Sequence, residues 1–291
     1  MRKLRWIYVA IVLVLVCFSA VKIYGRVAMP RVSEVVVEPE TIFPGDPVFI
    51  TIDATSTPTA VFWDSKKVST FAYAGKMRAF VPIDFNEKVL KHKVEATLDN
   101  GVTLGRIVTI TPRPKIEKPL GIPEKLGGNT PQAAQTIVKN LADENYVLNT
   151  VKTAATTLWT KPFWYPLATI FVTDPYGYNR ETVAETIPHK GTDFRASVGT
   201  EVRAMNRGVV RVAREFTVYG NTVVVDHGLG LQTLYMHMSK LNVKVGDVVE
   251  AGDLLGLSGD TGYAEAAHLH ISVKINSVSI DPMTFMKFFI K

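Results

Sequence analysis

The chain has a single cysteine, Cys17, among its 291 residues. An internal disulfide is therefore excluded, and stability must come from packed cores. Charge of one sign is also scarce over most of the length. The formal net charge is +6, yet five of the 33 basic side chains and none of the 27 acidic ones fall in residues 1–26, which leaves 28 against 27 beyond them. A nucleic-acid partner needs a basic surface, and that balance excludes one. From about Pro166 onward there is neither a helical period nor a repeat of solenoid length. An apolar content of 47% excludes a disordered chain, and the length suits two domains.

The first 26 residues, MRKLRWIYVAIVLVLVCFSAVKIYGR, place a basic head (Arg2, Lys3, Arg5) before an uncharged run from Trp6 to Val21. That run falls between a signal-peptide core of roughly 7–15 residues and a spanning helix of roughly 17–25. Trp6, Tyr8, Lys22, Tyr24 and Arg26 suit interfacial anchors. Small-residue cleavage signals are missing: Phe18 spoils a cut after Ala20, and Val16 spoils a lipoprotein site at Cys17. The expectation is a membrane anchor or signal sequence over residues 1–26. The bulk is exported to the cell envelope, either anchored by a single pass in the inner membrane or periplasmic or extracellular after cleavage.

The rest reads as mainly β. Residues 33–112 hold short Val-, Ile-, Phe- and Thr-rich runs separated by turns such as FPGDP and LDNGV, which predicts a small β-sandwich. Its opening, VVVEPETIFPGDPVFITI, resembles bacterial immunoglobulin-like domains, and such a module is expected to be a spacer without catalysis. His92, between Lys91 and Lys93, is expected to be solvated. Residues 113–160 read as a Pro/Gly-rich linker followed by a helix with Thr130 as N-cap and Pro131 at its first position, acting as a strut or as a cover. Residues 161–291 alternate strands with glycine-containing turns, predicting an antiparallel sheet.

Four of the six histidines fall in that last region. In AEAAHLHISV, the strand period of two puts His268 and His270 on one face and Leu269, Ile271 and Val273 on the other. In HKGTDF, His189 and Asp193 would lie roughly 13 Å apart on a straight strand. Gly191 between them permits a curl, and Pro188 argues against a helix. Two histidines and a carboxylate suit zinc with a position left open for water or substrate, as in a catalytic site. His237, in LYMHMS, and His268 remain for proton transfer.

The stretches VTDPYGYNR, HKGTD, GNTVVVDHG, LYMHMSKLNVKVGDVVEAGDLLGLSGDTG and HLH occur in one order between residues 165 and 285. In that order they resemble the lysostaphin-type zinc metallopeptidases, which cleave peptide cross-links of bacterial cell walls. The resemblance implies Zn2+ held by His189, Asp193 and His270, with His237 and His268 as catalytic histidines and their division of roles left open. It makes His227 a structural turn residue and peptidoglycan the partner, and it suggests a D,D-endopeptidase in wall remodelling. No motif points to a protein partner in the envelope. The chain departs from the pattern at AAHLHIS, where the family often has GPHLHFE, and in a long loop before His189. Both departures are expected to touch the groove wall and not a ligand. Two rival readings are a non-catalytic relative that binds wall or activates an amidase, and a lipoyl-like carrier suggested by VKVGDVVEAGDLLG. Intact ligand positions count against the first, and LSGDTG offers the second no lysine.

Overall fold

A computed structural model describes residues 33–88, 90–119, 121–182 and 185–290. The expected anchor or signal over residues 1–26 lies outside them. Among the described residues no helix is long and apolar enough to cross a membrane.

The first half is two facing four-stranded sheets. One pairs β1 (Glu34–Glu38), β2 (Pro47–Asp53), β6 (Lys76–Pro82) and β5 (Thr70–Tyr73). The other pairs β4 (Lys66–Val68), β3 (Pro58–Trp63), β7 (Lys91–Leu98) and β8 (Thr103–Thr109). In β7, KHKVEATL, alternate residues His92, Val94, Ala96 and Leu98 are buried, as one-sided packing requires. His92 is therefore not solvated, contrary to expectation. It is 8% exposed, stacks on Trp63 at 4.9 Å and lies 2.6 Å from Asp64 Oδ2 through Nδ1. Its flanking lysines point away because strand neighbours face opposite sides.

A short strand, β9 (Glu117–Pro119), leads to α1 (Pro131–Asn149). Thr130 caps the helix by accepting from the Ala133 N–H at 3.2 Å, and Pro131 sits in the first turn. After it come β10 (Val172–Asp174), β11 (Asn179–Glu181), β12 (Thr186–Pro188) and β13 (Thr192–Arg195). They are followed by β14 (Glu201–Arg203), β15 (Gly208–Phe216), β16 (Gly220–Gly228) and β17 (Leu231–Met238). The remaining elements are β18 (Lys240–Leu241), β19 (Val248–Val249), β20 (Leu254–Leu257), β21 (His268–Ile275), β22 (Val278–Ile280) and α2 (Pro282–Phe289). Helix α2 was not expected. Asp281 caps it by accepting from the Met283 and Thr284 N–H groups.

The main sheet runs β10-β13-β21-β17-β16-β15-β19, with β22 beside β21, and its pairs are antiparallel. It is more than a meander, because β21 inserts between β13 and β17. Leu269, Ile271 and Val273 of β21 are fully buried with Phe194, Tyr235 and Val223 in the main core. That leaves His268, His270, Ser272 and Lys274 on the opposite face. Phe49, Phe71 and Phe80 of the sandwich join the same core, with ring contacts to Trp159 and Phe289. Arg113, where the sandwich ends, ties Asp46 at 2.7 Å to Asp281 at 3.7 Å.

Candidate metal centre

Insertion of β21 beside β13 builds the site. Asp193 stands directly opposite His270 in register, and opposed side chains start roughly 5 Å apart. His189 follows β12 and reaches the same point because the chain turns through Lys190 and Gly191. The resulting distances are 2.6 Å from His270 Nδ1 to Asp193 Oδ1, 3.2 Å from His189 Nε2 to the same oxygen, and 3.2 Å between the two ring nitrogens. Three donor atoms thus converge within the reach of one cation, and all three residues are buried. Gly191 is required for a second reason beyond curvature. A Cβ there would sit 2.2 Å from His270 Nε2 and 2.7 Å from the Ile271 carbonyl oxygen.

The remaining polar atoms fix each ligand. His189 Nδ1–H donates to the Pro175 carbonyl at 2.9 Å, so Nε2 presents its lone pair to the site. His270 Nε2–H donates to Ser272 Oγ at 2.9 Å, and that hydroxyl donates to the Lys190 carbonyl at 3.1 Å, which leaves Nδ1 as the donor atom. Asp193 uses Oδ2 to receive Arg180 Nη2 at 2.5 Å, while Tyr178 Oη holds Arg180 Nε at 3.2 Å. Burial would raise the Asp193 carboxyl, but the charges and hydrogen bonds of His189 and His270 outweigh it and hold it well below the usual range. Burial pushes His270 down to about 4 despite Asp193. Asp193 is therefore a carboxylate and His270 an unprotonated imidazole at neutral pH, the state in which each can bind a divalent cation.

His237 and His268 flank this set, with rings 4.8 Å apart and His237 6.0 Å from His270. Each donates through Nδ1 to a backbone carbonyl: His237 to Thr261 at 2.9 Å and His268 to Ala266 at 2.8 Å. Nε2 of each is left as the chemically active nitrogen, and that of His268 lies 3.7 Å from Asp193 Oδ1. Burial, and then the neighbouring His268 and His270, drive the His237 pKa far down, so it stays a neutral base. His237 also adopts φ +60°, a left-handed conformation uncommon for a side-chain-bearing residue, at a register shift between β16 and β17. Thr261 and Asn221 both donate to the next carbonyl, that of Met238, and hold the turn in place.

All five residues singled out in the sequence meet here. His227 does not, and it is a fully buried strand residue rather than a turn residue: it donates to the Arg207 carbonyl at 2.8 Å and packs edge-on against Phe163. Ser272 corrects the expectation about the HLHIS departure, because it touches the second nitrogen of His270, one of the converging donors, and not merely the wall. Arg180 was not anticipated at all. It closes the stretch VTDPYGYNR and lies in β11, but nothing in that stretch marked it as a partner of Asp193. Ser272→Ala and Arg180→Ala should each weaken metal binding by roughly 10–100-fold, the usual worth of an orienting partner. Chelator competition on the purified variants measures this.

A buried His–Asp–His donor set on an antiparallel sheet, with two more histidines beside its open side, has the donor chemistry of a divalent-metal site. Residues 187–282 match the sequence profile of peptidase family M23, so this stretch is a peptidase M23 domain. It is 41% identical to the peptidoglycan DD-endopeptidase ShyA of Vibrio cholerae over 33% of this chain and 22% of that protein. It is 37% identical to the catalytic domain of lysostaphin from Staphylococcus simulans, covering 40% of this chain and 92% of that structure with a TM-score of 0.38. A peptidase M23 structure from Pseudomonas aeruginosa covers 84% of this chain and 94% of its own at 24% identity and a TM-score of 0.60, a likeness of fold that extends through the sandwich. The match to ShyA spans about a quarter of that relative's length.

Proposed function

We propose that the chain is a zinc-dependent endopeptidase that hydrolyses peptide cross-links of bacterial peptidoglycan, acting as a D,D-endopeptidase in wall remodelling. The observation that carries this reading is the direction of the nitrogens. Every imidazole in the centre is hydrogen-bonded on its far side, so His189 Nε2, His270 Nδ1, His237 Nε2 and His268 Nε2 all carry lone pairs toward one space. His189, Asp193 and His270 hold the metal. Bound there, Zn2+ supplies Lewis acidity toward a scissile carbonyl and the attacking water.

The protein's own groups do the rest. His237, kept neutral by burial, accepts the proton of the attacking water and returns it to the leaving amine. His268, less buried and with Nε2 3.7 Å from Asp193 Oδ1, accepts a hydrogen bond from the attacking water and so orients it. With all five positions in place, a non-catalytic relative is not favoured. The sandwich serves as a spacer, and residues 1–26 deliver the chain to the envelope as an anchor or a signal. Digestion of purified sacculi by the full-length protein, followed by muropeptide separation, tests the reading: cross-linked dimers should fall and monomers rise, and unchanged dimers would refute it.

A further inference from the structure

The face of β21 that carries His268 and His270 continues through Ser272 to Lys274. Lys274 is only 3% exposed and lines the same cleft as His189, His237 and His270. Its one hydrogen-bond acceptor among the described residues is the neutral amide oxygen of Asn149, at 2.8 Å, in the last residue of α1. Among the described residues no carboxylate pairs with it. Glu144, the acidic residue that α1 buries, already accepts from the Val218 and Tyr219 N–H groups at 2.8 and 3.1 Å. The nearby charge is of the same sign, that of Lys190 at the cleft mouth. Buried cations are normally paired, and the end of a helix offers only about half a negative charge.

The cleft is also closed along one side. Ile137, Leu141 and Asn145 of α1 line it, and Leu148 packs onto the sheet against Val224, Leu234 and Met236. A peptide chain running from the metal centre along β21 therefore meets α1 and Lys274 roughly 13 Å beyond His270, about four extended residues away. We propose that Lys274, with Lys190 at the mouth, is a subsite for a free carboxylate of the substrate peptide, so that the enzyme selects stems carrying an acid group near the bond cut. Burial, reinforced by Lys190, pushes the Lys274 ammonium down to about 8, as expected where a counter-ion arrives only with substrate.

This assignment rests on the peptidase reading above, and the test separates the two. The probes are one cross-linked wall peptide with its carboxylates free and the same peptide with them amidated. The metal-loaded full-length protein should prefer the free acid by roughly 10–100-fold in kcat/KM, the worth of one charge-assisted contact. Lys274→Met should reduce the ratio to under about threefold, and Lys274→Arg should retain most of it. Asn149→Ala, which removes the tie to α1 and keeps the charge, should preserve the preference. Absence of preference in the parent, its survival in Lys274→Met, or its loss in Asn149→Ala would overturn the subsite and leave Lys274 a strut to α1. If neither peptide is cleaved, the peptidase reading fails by itself. Calorimetric titration of the two peptides then decides the subsite by the same ratios.

Discussion

Asp193→Ala and His270→Ala should purify without metal and without activity, whereas His237→Ala and His268→Ala should keep close to one metal ion per chain and lose roughly 10²–10⁴ in rate. The two outcomes follow from what each side chain touches. Asp193 Oδ1 is the atom common to the close contacts at 2.6 and 3.2 Å, so its loss removes one of the three converging donors and the negative charge that would balance a cation. Its removal also strands Arg180, whose guanidinium lies 2.5 Å from Oδ2 in a buried setting. His270 supplies the second nitrogen of the set. His237 and His268 instead approach from beside the set, each fixed through Nδ1 by a carbonyl, and in the proposed mechanism they handle protons through Nε2. Metal analysis with turnover of soluble wall peptides separates the classes. Metal loss in His268→Ala with retention in His270→Ala would reverse the roles within the HLH pair.

Gly191→Ala should cost at least roughly 100-fold in metal affinity, although the substitution adds only a single uncharged methyl group. The added Cβ would meet His270 Nε2 at 2.2 Å, Cε1 at 2.5 Å and the Ile271 carbonyl oxygen at 2.7 Å. Since one of the three is backbone of β21, the clash cannot be relieved by rotating the imidazole alone. The ring must swing off Ser272 or the 189–191 turn must lift away, and either movement separates Nδ1 from His189 Nε2. Gly105→Ala is the matched control, for its Cβ would meet nothing closer than the Val94 carbonyl oxygen at 3.8 Å. Chelator competition on both variants, with circular dichroism to verify folding, should show full affinity in the control alone. Equal affinities would mean that the turn yields freely and that the centre is less rigid than described.

The legible parts of this molecule are those written in short-range periodicity. Alternation in HLHISV placed two imidazoles opposite Leu269, Ile271 and Val273, and those three are fully buried. Thr130 and Pro131 announced the start of α1, which begins at Pro131 with Thr130 as its N-cap. Asp281 and Pro282 carried a similar capping signal for α2, which went unread because no helical period accompanies it over so short a stretch. Arg180 and Ser272 escaped notice as supports because their roles depend on strand pairing between distant segments. The same is true of Lys274, whose isolation from carboxylates follows from α1 folding back over the sheet. His92 was misread for a related reason: neighbouring lysines imply solvent, but strand alternation turns it inward onto Trp63. The left-handed backbone of His237 arises at a bulge between β16 and β17 that no local pattern declares.

X-ray diffraction from crystals of the zinc-loaded protein, recorded on either side of the zinc absorption edge, tests the central claim most directly. One anomalous peak should lie between His189 Nε2, Asp193 Oδ1 and His270 Nδ1, at roughly 2.0–2.2 Å from each. A peak elsewhere, or one held by His237 or His268 in place of Asp193, would contradict the assignment of ligands and with it the proposed chemistry.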